Sequence, residues 1–158
     1  MQIATTFFNH FRFPFPSVDH ILPVSNTWAK RIRMIYSTGI DLVDVGRIRD
    51  GYKRFGDKYL TRLFSDDEIA DMKSRRAGMI ETMAGKFAAK EAVMKSLGVF
   101  FEDGVTVKDI EILRRPDGMP HVRLPEHLRR RLPGRSIMIS ISHEKHYAAA
   151  VAIITDEG

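Results

Sequence analysis

The sequence predicts an α+β domain, on three observations. Between Asp44 and Gly98, capping residues and helix formers recur without strand-like alternation. Beyond Gly98 the chain turns to short alternating runs separated by turn residues, Pro116-Asp117-Gly118 foremost. One apolar run ahead of the helices, Ile35 to Val43, reads as a strand. The expected result is helices packed on a small antiparallel sheet.

Residues 1–33 stand apart from this pattern. They are rich in phenylalanine (Phe7, Phe8, Phe11, Phe13, Phe15), broken by Pro14, Pro16 and Pro23, and carry one acidic residue, Asp19. Neither helical nor alternating periodicity is sustained there, and no continuous apolar segment with a small-residue cleavage site marks a secretory signal. The stretch is read as a leader outside the fold, disordered or a mis-assigned start, with a transit peptide as the alternative. The domain is then 34–158.

Within the domain, Asp44 is placed to cap a helix running to about Phe55, with Gly56 after it. A short helix is expected over Lys58 to Phe64. Ser65-Asp66-Asp67-Glu68 has the form of a capping box opening a third, through about Arg75. A fourth helix begins near Met79 and stops at Gly98. Strands follow over Val105–Leu113 and Pro120–Leu124, then a short helix over Glu126–Leu132 stopped by Pro133-Gly134. Ser136–Ser142 and Tyr147–Ile154 close the chain as a hairpin across the His143–His146 corner. No internal repeat is present.

The 158 residues make one domain with room for a core, and 44% hydrophobic and 28% charged content is ordinary for a globular protein. The chain has no cysteine, which excludes disulfides, thiolate metal sites and a cysteine nucleophile. That fits a reducing compartment, and the cytoplasm is the expected location. A net charge of +5 points to acidic partners. No apolar run approaches the ~18–20 residues of a membrane span, so no membrane partner is expected. Nucleic-acid binding would set basic residues among exposed aromatics along one face, and only the leader resembles that. No nucleic-acid partner is expected either.

The fourth helix carries the chemistry. With residues placed at about 100° around the axis, Ile80, Met83, Ala84, Phe87 and Met94 form an apolar stripe within roughly 60°. Glu91 falls inside that stripe, flanked by Lys95 and Lys90. A carboxylate on a core-facing side is costly unless a cation or metal meets it. Glu91 and Lys95 are also an i,i+4 pair, worth only ~0.3–0.5 kcal/mol when exposed, so the helix alone leaves an ordinary ion pair open. Asp41, in the apolar run Ile40 to Val43, can be a strand-end carboxylate bonded to a turn. Together, Asp41 and Glu91 offer the two hard oxygen donors that Mg²⁺ takes alongside waters and phosphates.

Three stretches carry a resemblance: GKFAAKEAVMKSLG (Gly85–Gly98), STGIDLVDVGRI (Ser37–Ile48) and SISH (Ser140–His143). In order and spacing they resemble the holo-acyl-carrier-protein synthases, the small phosphopantetheinyl transferases, from Met34 almost to the end of the chain. The resemblance implies transfer of 4′-phosphopantetheine from coenzyme A to a serine of an apo acyl carrier protein, in support of fatty acid biosynthesis. Adenosine 3′,5′-bisphosphate leaves. It implies Mg²⁺ held by Asp41 and Glu91, with Lys95 stabilising the leaving phosphate. Lys86 and Lys90 become candidate phosphate contacts, against solvated flanks, and His143 a contact to the coenzyme A phosphates, against a turn residue. The serine's proton goes to Glu91 or to a metal-bound water. Arg47 and Arg54, seven residues apart on one helix face, are implied to dock the acidic carrier, and a homotrimer with shared sites is implied for the assembly. Arg129-Arg130-Arg131 is read as surface. The sequence departs from the family after Gly98, where Val99-Phe100-Phe101 replaces the usual Thr-Gly and puts coenzyme A affinity in question. The rival reading is a non-catalytic basic module that binds an acidic protein or nucleic acid.

Overall fold

The computed structural model describes residues 34–74, 78–98, 100 and 105–156. The leader 1–33, the expected helix end at Arg75, and Val99 and Phe101 lie outside the described residues. In chain order the elements are β1 (Ile35–Asp44), α1 (Val45–Phe55), α2 (Asp57–Leu63), α3 (Asp66–Ser74) and α4 (Met79–Leu97). A 3₁₀ turn (Val107–Asp109), β2 (Glu111–Arg114), β3 (Pro120–Arg123), α5 (Glu126–Arg129), β4 (Arg135–His143) and β5 (Tyr147–Asp156) follow. The fold class is α+β, as the sequence predicts.

The strands form two antiparallel sheets, one ordered β1-β5-β4 and the other β2-β3. In the first, Asp41 pairs with Ala150 and Gly39 with Ala152. One face packs on α4 through small residues: Ala148, Ala150 and Ala152 of β5 are buried against it. Gly39 brings β1 closest, since a Cβ there would fall 2.0 Å from the Ala92 carbonyl oxygen. Core residues Val45, Leu60, Phe64, Met72, Met83, Val93 and Leu97 fill the space between α4 and the shorter helices.

The expected caps form. The Asp44 carboxylate accepts from the Arg47 amide at 2.9 Å. Ser65 and Glu68 exchange the reciprocal bonds of a capping box. Three expectations need correction. The strand expected over Val105–Leu113 begins only at Glu111, because Asp109 accepts from both the amide and the hydroxyl of Thr106 and turns the backbone instead. The helix expected over Glu126–Leu132 ends at Arg129. Finally, most of the stripe expected to face the core lies on the least buried side of α4: Ile80, Phe87, Glu91 and Met94 are half-buried and Lys95 is exposed, while beyond the first turn the other sides, Lys86 and Lys90 included, are buried.

Candidate active site

Asp41 stands near the end of β1 on the face turned to α4, and Glu91 stands on α4 beside Ala92, the residue Gly39 touches. The close approach of strand and helix therefore brings the two carboxylates to one cleft of about 450 Å³. Its far wall is the first part of α1, with Arg47 and Gly51, and Tyr59 of α2 closes it beside Phe87.

Lys95 does not pair with Glu91. Its ammonium donates to Asp41 Oδ1 at 2.8 Å and to the Ile40 carbonyl at 3.0 Å, crossing from α4 to β1. Glu91, half-buried, has no hydrogen bond or ion pair among the described residues. A carboxylate set in a cleft wall, without a protein cation on it, is a ready ligand. Among the described residues no group of three or more His, Cys, Asp or Glu could hold a metal alone. Two carboxylates fit an ion that completes its shell with water and phosphate oxygens, as Mg²⁺ does, and fit poorly an ion that wants an all-protein cage.

Lys90 is fully buried. Its ammonium donates to the Leu63 carbonyl at 2.8 Å, to Glu68 Oε2 at 2.7 Å and to the Val107 carbonyl at 3.2 Å. All three donors are satisfied inside the protein, so the expectation of a phosphate contact at Lys90 is corrected. Burial pushes its pKa down, and the neighbouring Glu68 carboxylate pulls the other way. Lys86 is nearly as buried, donating to the Ile112 carbonyl and pairing with Asp71 at 2.9 Å. It lines a second cavity of about 250 Å³ together with Thr82, Arg114 and His143. His143 is exposed at the end of β4, across the sheet from β1. The two cavities share no lining residue. One chain thus brings Asp41, Glu91, Lys95 and Arg47 together, and Lys86 with His143 apart from them.

Arg54 is exposed on α1, its guanidinium 5.1 Å from the Phe55 ring centroid. Phe100 is half-buried, with Arg135 at 5.0 Å from its ring centroid, and Arg135 also faces Tyr36 at 4.4 Å. Sequence reading missed two residues here. Glu68 was visible only as a cap, and Tyr59 only as part of a short helix. A glycine inside α1, at position 51, was the one signal that something packs closely on that helix.

The chain is similar to known proteins over most of its length. A family model described as the 4′-phosphopantetheinyl transferase superfamily matches residues 37–152. The holo-[acyl-carrier-protein] synthase of Koribacter versatilis is 41% identical over 127 residues, covering 78% of this chain and all of that protein. Its namesake from Thermodesulfovibrio yellowstonii is 40% identical over 122 residues, covering 77% of this chain and all of the relative. Among solved structures, Helicobacter pylori holo-[acyl-carrier-protein] synthase in complex with coenzyme A matches with a TM-score of 0.63 and 33% identity. That match covers 74% of this chain and 98% of the other. The Neisseria meningitidis synthase matches with a TM-score of 0.67 and 26% identity, over 77% of this chain and 98% of that one.

Proposed function

The chain belongs to the holo-[acyl-carrier-protein] synthases of the 4′-phosphopantetheinyl transferase superfamily, and from that premise we propose that it moves 4′-phosphopantetheine from coenzyme A to a serine of an apo acyl carrier protein, with Mg²⁺. The observation that carries the reading is the cleft where Asp41 and Glu91 meet from different elements, Lys95 on the first and no described partner on the second. The serine oxygen forms a bond to the β-phosphorus as its proton passes to Glu91 or to a water. The bond from that phosphorus to the departing phosphate breaks, and adenosine 3′,5′-bisphosphate leaves. Such transfers gain most from positioning and from neutralising charge on phosphate oxygens.

Asp41 and Glu91 would hold Mg²⁺, which when bound neutralises pyrophosphate charge and orients the group for in-line attack. Lys95, anchored on Asp41, places a positive charge at the same spot for the leaving phosphate. Arg47 at the cleft wall and Arg54 farther along α1 present positive charge to an acidic carrier, which raises encounter rate more than final affinity. Lys86 and His143 are the proposed contacts to coenzyme A phosphates, from the second cavity.

The assembly follows as part of the same reading. The outer face of the three-stranded sheet exposes Ile40 at 70% and Leu42 at 65%, beside the half-buried Val151 and Ile153. Copies packing there as a homotrimer would offer His143 of one chain to the cleft of the next, which accounts for their separation within a single chain. The lack of cysteine fits a cytoplasmic setting, and no helix among the described residues is long and apolar enough to cross a membrane.

The test is turnover against Mg²⁺ concentration for Glu91→Gln and Asp41→Asn, read by the mass of the loaded carrier. Each should lower turnover at least ~10²-fold, the scale of losing one preorganised electrostatic group. Glu91→Gln should also keep the melting temperature in chelator, because Glu91 has no protein partner to lose among the described residues. Near-normal turnover with an unchanged Mg²⁺ requirement in both variants would remove these residues from the site.

A further inference from the structure

Arg47, Gly51 and Arg54 lie on one stripe of α1, within roughly 60° of one another at about 100° per residue. Between two arginines a side chain is expected, yet the middle position is glycine, a weak helix former. The structure shows what occupies the gap. A Cβ on Gly51 would fall 2.7 Å from both Cε2 and Cζ of Tyr59 and 3.0 Å from its hydroxyl oxygen. The phenol of Tyr59, reaching over from the first turn of α2, therefore lies directly on the α1 backbone between the two arginines.

The ring is not buried away. Tyr59 is half-buried and lines the same cleft as Asp41, Glu91 and Arg47. Its hydroxyl has no hydrogen-bond partner among the described residues. Partial burial pushes its pKa up, with Arg47 opposing, so the phenol stays protonated at neutral pH. It can donate a hydrogen bond and cannot serve as a base.

Resting on the function proposed above, we propose that Tyr59 is an acceptor-contacting residue: from its seat on Gly51 between Arg47 and Arg54, its hydroxyl donates a hydrogen bond to an oxygen of the serine-bearing segment of the carrier protein. Its side of the cleft decides for the carrier over coenzyme A. Tyr59 packs on the α1 wall beside Arg47, the proposed docking arginine that lines the cleft, whereas Lys86 and His143, the proposed contacts to coenzyme A phosphates beyond the pyrophosphate, line the other cavity. The hydroxyl lies against Gly51 on the α1 wall of the cleft that also holds the two carboxylates, the cleft that the attacking serine has to enter.

The experiment is Tyr59→Phe, which keeps the ring on Gly51 and removes only the hydroxyl. Carrier affinity is measured by titration without metal or coenzyme A, and the KM for each substrate in the full reaction. The carrier Kd and KM should rise about three- to tenfold, the loss of one uncharged hydrogen bond. The KM for coenzyme A and the melting temperature should stay at the wild-type values. A purely structural tyrosine would shift the melt or both KM values together, and that result overturns the proposal. So does a variant indistinguishable from wild type, or an effect confined to coenzyme A. If the wild type itself leaves the carrier unmodified, the underlying function falls and this contact falls with it. Normal wild-type loading beside an unaffected Tyr59→Phe removes the tyrosine alone.

Discussion

An ammonium group shut off from water must find acceptors inside the protein, and Lys90 finds three. Its partner Glu68 is equally buried and also accepts from the amides of Ser65, at 2.9 Å, and Ile112, at 2.9 Å. The pair ties the end of α2, α3, α4, the 3₁₀ turn and β2 to one point. Removing one member of a buried pair strands the other, at about 3–5 kcal/mol. Lys90→Met should lower unfolding free energy by that much in urea. Adding Glu68→Gln should recover a large part, because the stranded charge is gone while an amide oxygen remains for a backbone donor. A Lys90→Met loss under ~1 kcal/mol would show the pair to be loosely held. This node was not legible beforehand. Periodicity weighs residue type, and a lysine beside a stripe reads as a solvated edge; its acceptors are backbone carbonyls from distant elements, which leave no mark in sequence. Asp41 and Glu91 drew notice for the opposite reason, each a charge set among apolar neighbours, but residue type left an ordinary ion pair and a turn carboxylate open, and only the resemblance named them as ligands.

At the scale of elements, the site depends on how closely β1 meets α4. Gly39 contacts the Ala92 carbonyl, and Asp41 and Glu91 are the neighbours of those two positions. Gly39→Ala would place a Cβ 2.0 Å from backbone oxygen, which neither partner can move aside as a side chain would. Overpacking of this kind costs about 1–3 kcal/mol or more. Pushing strand from helix by about 1 Å should also lower turnover on the order of 10²-fold, although no charged group has changed. Calorimetry and steady-state turnover on Gly39→Ala check this together; wild-type values in both would mean the contact relaxes freely. The strand could be read ahead from its apolar run, and the capped α1 and the capping box of α3 because local side-chain bonds fix them. The 3₁₀ turn at Val107–Asp109 could not, since its apolar residues alternate like a strand and only the Thr106–Asp109 bonding reverses the outcome. The burial of α4 around most of its circumference, with the stripe of Ile80, Phe87, Glu91, Met94 and Lys95 left open, follows from tertiary packing of alanines against alanines, a matter of shape that residue polarity does not encode.

At the scale of the whole molecule, the described residues cover one face of the three-stranded sheet. Its outer face carries Ile40, Leu42, Ala149, Val151, Ile153 and Met138, with Ser140 and Ser142 on the outer strand. Each large aliphatic group moved from water to an interface contributes about 1.5–3 kcal/mol. A closed assembly of identical chains would satisfy this face without leaving a further copy to add. The proposed homotrimer predicts sedimentation at the mass of three 18.1 kDa chains at micromolar concentration. Ile40→Lys lies outside the Asp41 and Glu91 cleft and pairs with Val151 at the middle of the face. It should convert the protein to monomer with its secondary structure retained. Turnover should fall with assembly, because His143 and Asp41 would no longer meet across chains. A wild type that sediments as a monomer, or a monomeric Ile40→Lys with full turnover, would detach the site from the assembly. In the first case the apolar face would still need covering; in the second, the separate cavity of Lys86 and His143 would lose its proposed part in holding coenzyme A.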